Sequence, residues 1–187
     1  ENKKEELKLL EEAISQMFND MNASFFEMPN FDVSLQSFLS IFNSIFTLNQ
    51  DLLLEGSYQC TNRVLSSPYT NSTQLIVDPK SKWRYWQTPG IHHADVKGDT
   101  VPSKKQIYDN EWTPNDNFEI KENYQPIFKL HGSSNWRTKD LKNLLIMGYN
   151  KQEAIKNYDL LKWYYKKFEE FLLTPETKLL IIGYSFR

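Results

Sequence analysis

Five polar or flexible residues follow three short apolar runs, at points where a catalytic site can form. They are Asn49, Asp51, His131, Gly183 and Ser185. Each run is bounded and rich in β-branched or aromatic residues, which is typical of strands buried in a parallel sheet. Open α/β sheets bind ligands at the carboxyl ends of such strands. We therefore expect the five residues to gather along one edge of a sheet.

The histidine and the asparagine offer the clearest chemistry. His131 can act as a general base near neutral pH, and Gly132 after it lets the backbone approach a ligand closely. The alternative is that His131 only caps or fills a turn. Asn49 can orient a water or a carboxamide, because its amide both donates and accepts. Asn49 and Asp51 also fit the N-terminal cap of a short helix, so spacing alone leaves both alternatives open.

Two further groups carry weaker signals. Gly183 permits close backbone approach and Ser185 can bond a phosphate or a ribose, although a plain turn explains the same residues. His92 and His93 are adjacent, so in an extended segment they point to opposite sides. No cysteine cluster stands beside them, and we expect no metal site there.

Composition limits the class of protein. A chain of 187 residues predicts about one domain. The net charge of −2 gives no signal for nucleic acid. One cysteine, Cys60, excludes an internal disulfide and any zinc site with several cysteines, so we expect a reducing, cytoplasmic setting. No apolar stretch approaches the roughly 20 residues that span a bilayer.

Apolar periodicity predicts the elements that would position these residues. Helices are expected at about 3–18, 31–42 and 152–172, with a connection at 19–30 and further strands at 144–148 and 179–182. The segment 56–123 is rich in Ser, Thr, Asn, Pro and aromatic residues, and we expect an insertion of loops and short hairpins. It either covers the sheet edge or forms a plain surface insertion. The alternation predicts an α/β fold with a Rossmann-like parallel sheet flanked by helices.

Three segments together resemble the sirtuin-like (silent-information-regulator-like) family. They are Thr47-Leu48-Asn49-Gln50-Asp51, Lys129-Leu130-His131-Gly132-Ser133 with Trp136, and Gly183-Tyr184-Ser185-Phe186. Their order also matches, and the resemblance extends from about Ser44 to Arg187. It is greatest to the bacterial branch that consumes NAD in antiphage defence.

The resemblance implies an NAD glycohydrolase that releases nicotinamide and ADP-ribose. Asn49 would position the nicotinamide ribose or the attacking water, and His131 would be the base. Asp51 would support the nicotinamide pocket, while Gly183 and Ser185 would line the adenine ribose and phosphate. The residues that would bind NAD are Thr47, Asp51, Gly132, Gly183 and Ser185.

Departures from the family pattern refine this expectation. The chain lacks the four-cysteine zinc module of the protein deacetylases, so we expect no zinc and favour NAD hydrolysis over deacylation. None of its six glycines forms a Gly-x-Gly pair. We therefore expect 1–187 to be a partial sirtuin-like domain of a longer protein, with the glycine-rich loop upstream of Glu1. Expected partners are NAD, other domains of that protein and a second copy in a homo-oligomer. The alternative is a non-catalytic module that binds NAD or ADP-ribose or mediates oligomerisation.

Overall fold

The computed structural model describes residues 2–29, 31–59, 83, 85–92, 102–148 and 150–183. The helices are α1 (Asn2–Glu27), α2 (Val33–Ser40), α3 (Lys104–Asp109), α4 (Lys151–Ile155) and α5 (Asp159–Leu173), with a π-helical turn at Glu55–Gln59. The strands are β1 (Ile45–Thr47), β2 (Tyr85–Gln87), β3 (Ile91–His92), β4 (Thr113–Pro114), β5 (Tyr124–Lys129), β6 (Gly132–Arg137) and β7 (Asn143–Leu145).

A parallel sheet of three strands, in the order β1-β5-β2, lies at the centre of the fold. The register pairs Thr47 of β1 with Lys129 of β5, and Gln87 of β2 with Pro126 of β5. Strand β5 is buried from Gln125 to Lys129, as expected for a strand with a neighbour on each side. The predicted α/β fold, a parallel sheet flanked by helices, is confirmed.

An aromatic core holds α5 against the β1–β5 pair. Phe46 of β1 stacks on Phe128 of β5 with ring centroids 4.6 Å apart. Phe128 meets Tyr164 of α5 edge-to-face at 5.0 Å, and the Tyr164 hydroxyl donates to the Pro89 carbonyl oxygen at 2.6 Å. Burying a large apolar side chain contributes about 1.5–3 kcal/mol. Helix α5 therefore packs directly against the two strands whose ends carry the candidate residues.

Several predicted elements differ in the structure. Helix α1 continues through the predicted connection at 19–30 and ends at Glu27, because Phe18 and Asn22 pack into the molecule. The predicted helix at 152–172 is two helices that break between Ile155 and Asp159. The predicted strand at 144–148 pairs antiparallel with β6 rather than joining the parallel sheet. The insertion 56–123 contributes β2, a strand of the parallel sheet itself.

The predicted strand at 179–182 is not formed. Residues 177–182 adopt no helix or strand, and Leu179 through Ile182 are 49–71% exposed. A strand buried on both faces needs hydrogen-bonding neighbours, and no strand among the described residues pairs with this run. Among the residues that the structure describes, no helix has both the length and the apolar character needed to cross a membrane.

Candidate functional site

The carboxyl ends of β1 and β5 lie side by side and carry the two candidate catalytic residues. Thr47 and Lys129 are the last paired residues of these strands, and the Leu130 backbone N–H donates to the Thr47 carbonyl at 2.9 Å. Asn49 and His131 each follow two residues later. We name residues 48–52 the asparagine loop and residues 130–132 the histidine turn. The parallel register brings both segments to one sheet edge, as the sequence predicted.

Gln50 ties the asparagine loop to the histidine turn. Its side-chain Nε2 donates to the His131 carbonyl at 2.9 Å and to the Ile146 carbonyl at 2.8 Å. Its own carbonyl accepts from the Ser134 N–H at 2.8 Å. One amide nitrogen with two protons satisfies two acceptors on two different elements. Sequence reasoning missed this residue, although a long amide between two candidate site residues was a signal for it.

Of the polar residues around Gln50, one is exposed at the sheet edge and two form hydrogen bonds with the backbone of the asparagine loop. Asn49 is exposed at the sheet edge, and its backbone N–H donates to the Thr47 hydroxyl at 3.1 Å. Asp51 accepts from the Leu53 N–H through Oδ1 at 3.0 Å, which is the capping contact considered from the sequence. Asn49 is therefore available to a ligand, while Thr47 and Asp51 shape the loop that presents it.

His131 lies half-buried in the histidine turn. Burial, and secondarily the positive charge of Lys151, lower the pKa of His131 below its usual range. Both effects disfavour the charged imidazolium. The imidazole is therefore neutral at neutral pH, and a neutral imidazole can accept a proton.

A buried ion pair lies directly beneath the asparagine loop. Lys129 Nζ is 2.6 Å from Glu55 Oε1, and both side chains are only 1% exposed. Lys129 also donates to the Asp51 carbonyl oxygen. Burial raises the pKa of Glu55, while the charge and hydrogen bond of Lys129 lower it in part. Burial raises the pKa of Tyr164, and the negative charge of Glu55 raises it further. A lysine inside an otherwise apolar strand was the sequence signal for this pair.

Gly132 allows the chain to turn sharply after His131. It has a φ of +79°, and a Cβ there would lie 1.9 Å from the Leu144 carbonyl oxygen. Any other residue would clash with β7 and carry left-handed backbone strain. Gly132 thus serves the geometry of the histidine turn.

Of the third predicted segment, only Gly183 belongs to the described residues. Gly183 is exposed, and a Cβ there would meet no atom within 4 Å. Ser185 lies outside the described residues. His92 is exposed in β3, and His93 falls outside the described residues as well. Across the described ranges, no three His, Cys, Asp or Glu side chains come together in a group that could hold a metal ion.

These features define a Rossmann-like α/β domain with its candidate site at the carboxyl ends of two parallel strands. Residues 43–187 match the family described as SIR2-like domain, and the chain belongs to that family. The family binds NAD and includes NAD-utilising enzymes. The matched range contains both the asparagine loop and the histidine turn. No curated protein and no solved structure matches the chain significantly.

Proposed function

We propose that this domain is an NAD glycohydrolase, which uses water to cleave the bond between nicotinamide and ribose. The observation that carries the proposal is the register of β1 and β5, because Asn49 and His131 follow a paired position by two residues each. An exposed amide and a neutral imidazole at one edge suit a nucleotide substrate. Membership of a family that binds NAD supports NAD as that nucleotide.

The chemistry asks for positioning more than for strong acid. As the ribose C1′–nitrogen bond breaks, its electrons go to the nicotinamide ring, which leaves as a neutral molecule. Positive charge develops on the ribose, and a water oxygen forms the new bond to C1′. The water proton passes to His131 and then to solvent, so the products are nicotinamide, ADP-ribose and a proton. Asn49 would hold the water or a ribose hydroxyl in line for this attack.

The remaining assignments follow the same proposal. Thr47 and Asp51 would keep the asparagine loop in shape beside the nicotinamide, and Gly132 would let the backbone approach it. Gly183 and Ser185 are proposed for the adenine ribose and phosphate end. The wider role proposed is the effector domain of a bacterial antiphage defence protein in the cytoplasm. It rests on the resemblance of the three segments to that branch of the family.

The test is nicotinamide release from NAD by the whole protein and its variants. We expect His131→Ala and Asn49→Ala each to lose at least about 100-fold in rate, which is typical for loss of a general base or a positioning group. His92→Ala and Asn19→Ala are matched controls, because both residues are exposed on other elements. The controls should keep the wild-type rate. Infected cells that carry His131→Ala should also retain their NAD.

Two results would change the conclusion. Wild-type release by both His131→Ala and Asn49→Ala would refute the assigned catalytic residues. Saturable binding of NAD by the wild-type protein without any nicotinamide release would instead identify a module that binds the nucleotide. A titration of NAD followed by tryptophan fluorescence separates that result from a protein that binds no nucleotide.

A further inference from the structure

Asn22 connects helix α1 to both halves of the candidate site. Its Oδ1 accepts from the Leu52 N–H at 3.1 Å, and its Nδ2 donates to the Ser134 hydroxyl at 3.0 Å. Leu52 ends the asparagine loop, and Ser134 lies in β6 two residues beyond Gly132. Asn22 is only 9% exposed as a residue. A single amide therefore bridges the asparagine loop and β6, the strand that follows the histidine turn.

The bridge comes from outside the family domain. Helix α1 lies before residue 43, where the SIR2-like match begins. The helix is long and largely exposed, and among its described side chains only Phe18 and Asn22 are buried. Its C-terminal end packs on α3, with the Phe26 and Tyr108 rings edge-to-face at 5.6 Å. Asn22 thus directs its side-chain hydrogen bonds to the site rather than to α3, on which the helix packs.

We propose that Asn22 is a positioning residue of the NAD site, which holds the asparagine loop in place relative to the histidine turn. The proposal rests on the proposed function, since it assigns Asn22 a part in that reaction. Gln50 and Lys129 bond the middle of the loop, whereas Asn22 bonds its last residue, Leu52. Without Asn22, the buried Leu52 N–H loses its acceptor. The C-terminal end of the asparagine loop then loses its link to β6, and the bonds of Gln50 and Lys129 to the middle of the loop remain. We expect the loop to shift relative to His131.

The first experiment compares steady-state kinetics of Asn22→Ala, Asn22→Asp and Asn19→Ala in the whole protein. We expect Asn22→Ala to lower kcat about tenfold or more and to leave KM for NAD within about threefold, because misplaced groups cost mainly in the transition state. Aspartate keeps an oxygen for the Leu52 N–H, and the Ser134 hydroxyl can donate to its second oxygen. Asn22→Asp should therefore recover most of kcat, and Asn19→Ala should match the wild type.

The second experiment measures amide hydrogen exchange of the same proteins without substrate. We expect faster exchange in the asparagine loop and at 131–134 in Asn22→Ala, and unchanged exchange there in Asn19→Ala. A wild-type protein that releases no nicotinamide would refute the proposed function, while the exchange comparison would still decide whether Asn22 holds the two segments. If Asn22→Ala does not fold, Ser134→Ala breaks the same bridge from its other end and should lower kcat several-fold.

Two outcomes would overturn the inference. The first is a folded Asn22→Ala or Ser134→Ala protein with wild-type kcat and wild-type exchange. The second is a loss of kcat that Asn22→Asp does not recover although it restores the melting temperature. In that case the bridge would be rebuilt without rebuilding the activity, so the bridge would not be what sets kcat.

Discussion

Replacing Lys129 by methionine isolates the buried charge beneath the asparagine loop. Methionine keeps most of the side-chain volume but removes the Lys129 ammonium group, which lies 2.6 Å from Glu55 Oε1. Both partners are 1% exposed, so solvent cannot take over the interaction. Breaking a buried pair on one side costs about 3–5 kcal/mol. The Asp51 carbonyl also loses a donor, at a cost of about 1 kcal/mol. We expect the free energy of unfolding to fall by about 4–6 kcal/mol near neutral pH.

The loss should depend on pH in a defined direction. Lys129 lowers the pKa of Glu55 against a larger effect of burial, so without Lys129 the pKa rises further above its ordinary value of 4.5. The folded variant then binds a proton more tightly than the unfolded chain does. Stability falls as pH rises from the ordinary value through the raised pKa. The loss measured near pH 5 should therefore be smaller than the loss near pH 7.

Urea unfolding followed by tryptophan fluorescence measures both effects, because Trp112 and Trp136 are fully buried and report on the core. The control is the double variant Lys129→Met with Glu55→Gln, in which neither position of the buried pair carries a charge. It should recover at least about 2 kcal/mol of the loss and show a weaker pH dependence. A loss for Lys129→Met below about 1 kcal/mol near neutral pH, or an equal loss at both pH values, would refute the reasoning.

Two more predictions concern the histidine turn. Gly132→Ala should destabilise the fold by at least about 3 kcal/mol in chemical denaturation, because its Cβ would lie 1.9 Å from the Leu144 carbonyl oxygen. Gly148→Ala has a similar φ of +77° but no atom within 4 Å, and should cost only about 1 kcal/mol; equal losses would contradict the role of the clash. Lys151→Met removes a charge that lowers the pKa of His131, so the acid limb of the kcat/KM profile should move to higher pH. An unmoved limb would argue against His131 as the base.

The strand ends that carry Asn49 and His131 could be predicted because their signals are local. A short apolar run with a polar or glycine boundary is decided by a few neighbouring residues. The rule that open α/β sheets bind ligands at the carboxyl ends of their strands predicted that these ends lie together. Helix α1 could not be bounded in the same way. Its extension to Glu27 depends on contacts of Asn22 with Leu52 and Ser134, which lie far along the chain. Pairing of β7 with β6 is equally a matter of tertiary contact.

The supporting residues escaped prediction for a related reason. Lysine and glutamate usually mark the surface, and Lys129 and Glu55 are buried only because each meets the other across 74 positions of sequence. The run at 179–182, by contrast, was predicted to be a buried strand and is exposed. Its composition is that of a buried strand, but pairing also needs a neighbour, and composition does not reveal one.

Gln50 has a consequence for any attempt to move this site to another protein. Its two hydrogen bonds end on the carbonyls of His131 and Ile146. A graft of Asn49 and His131 alone would remove the Gln50 donor from both, and the His131 carbonyl would keep only the Ile146 N–H. Arginine and lysine could donate twice, but each would bring a charge beside the imidazole. Residues 50, 131 and 146 therefore form one transferable unit, and chimeras that exchange the asparagine loop without the histidine turn should fold with a misaligned site.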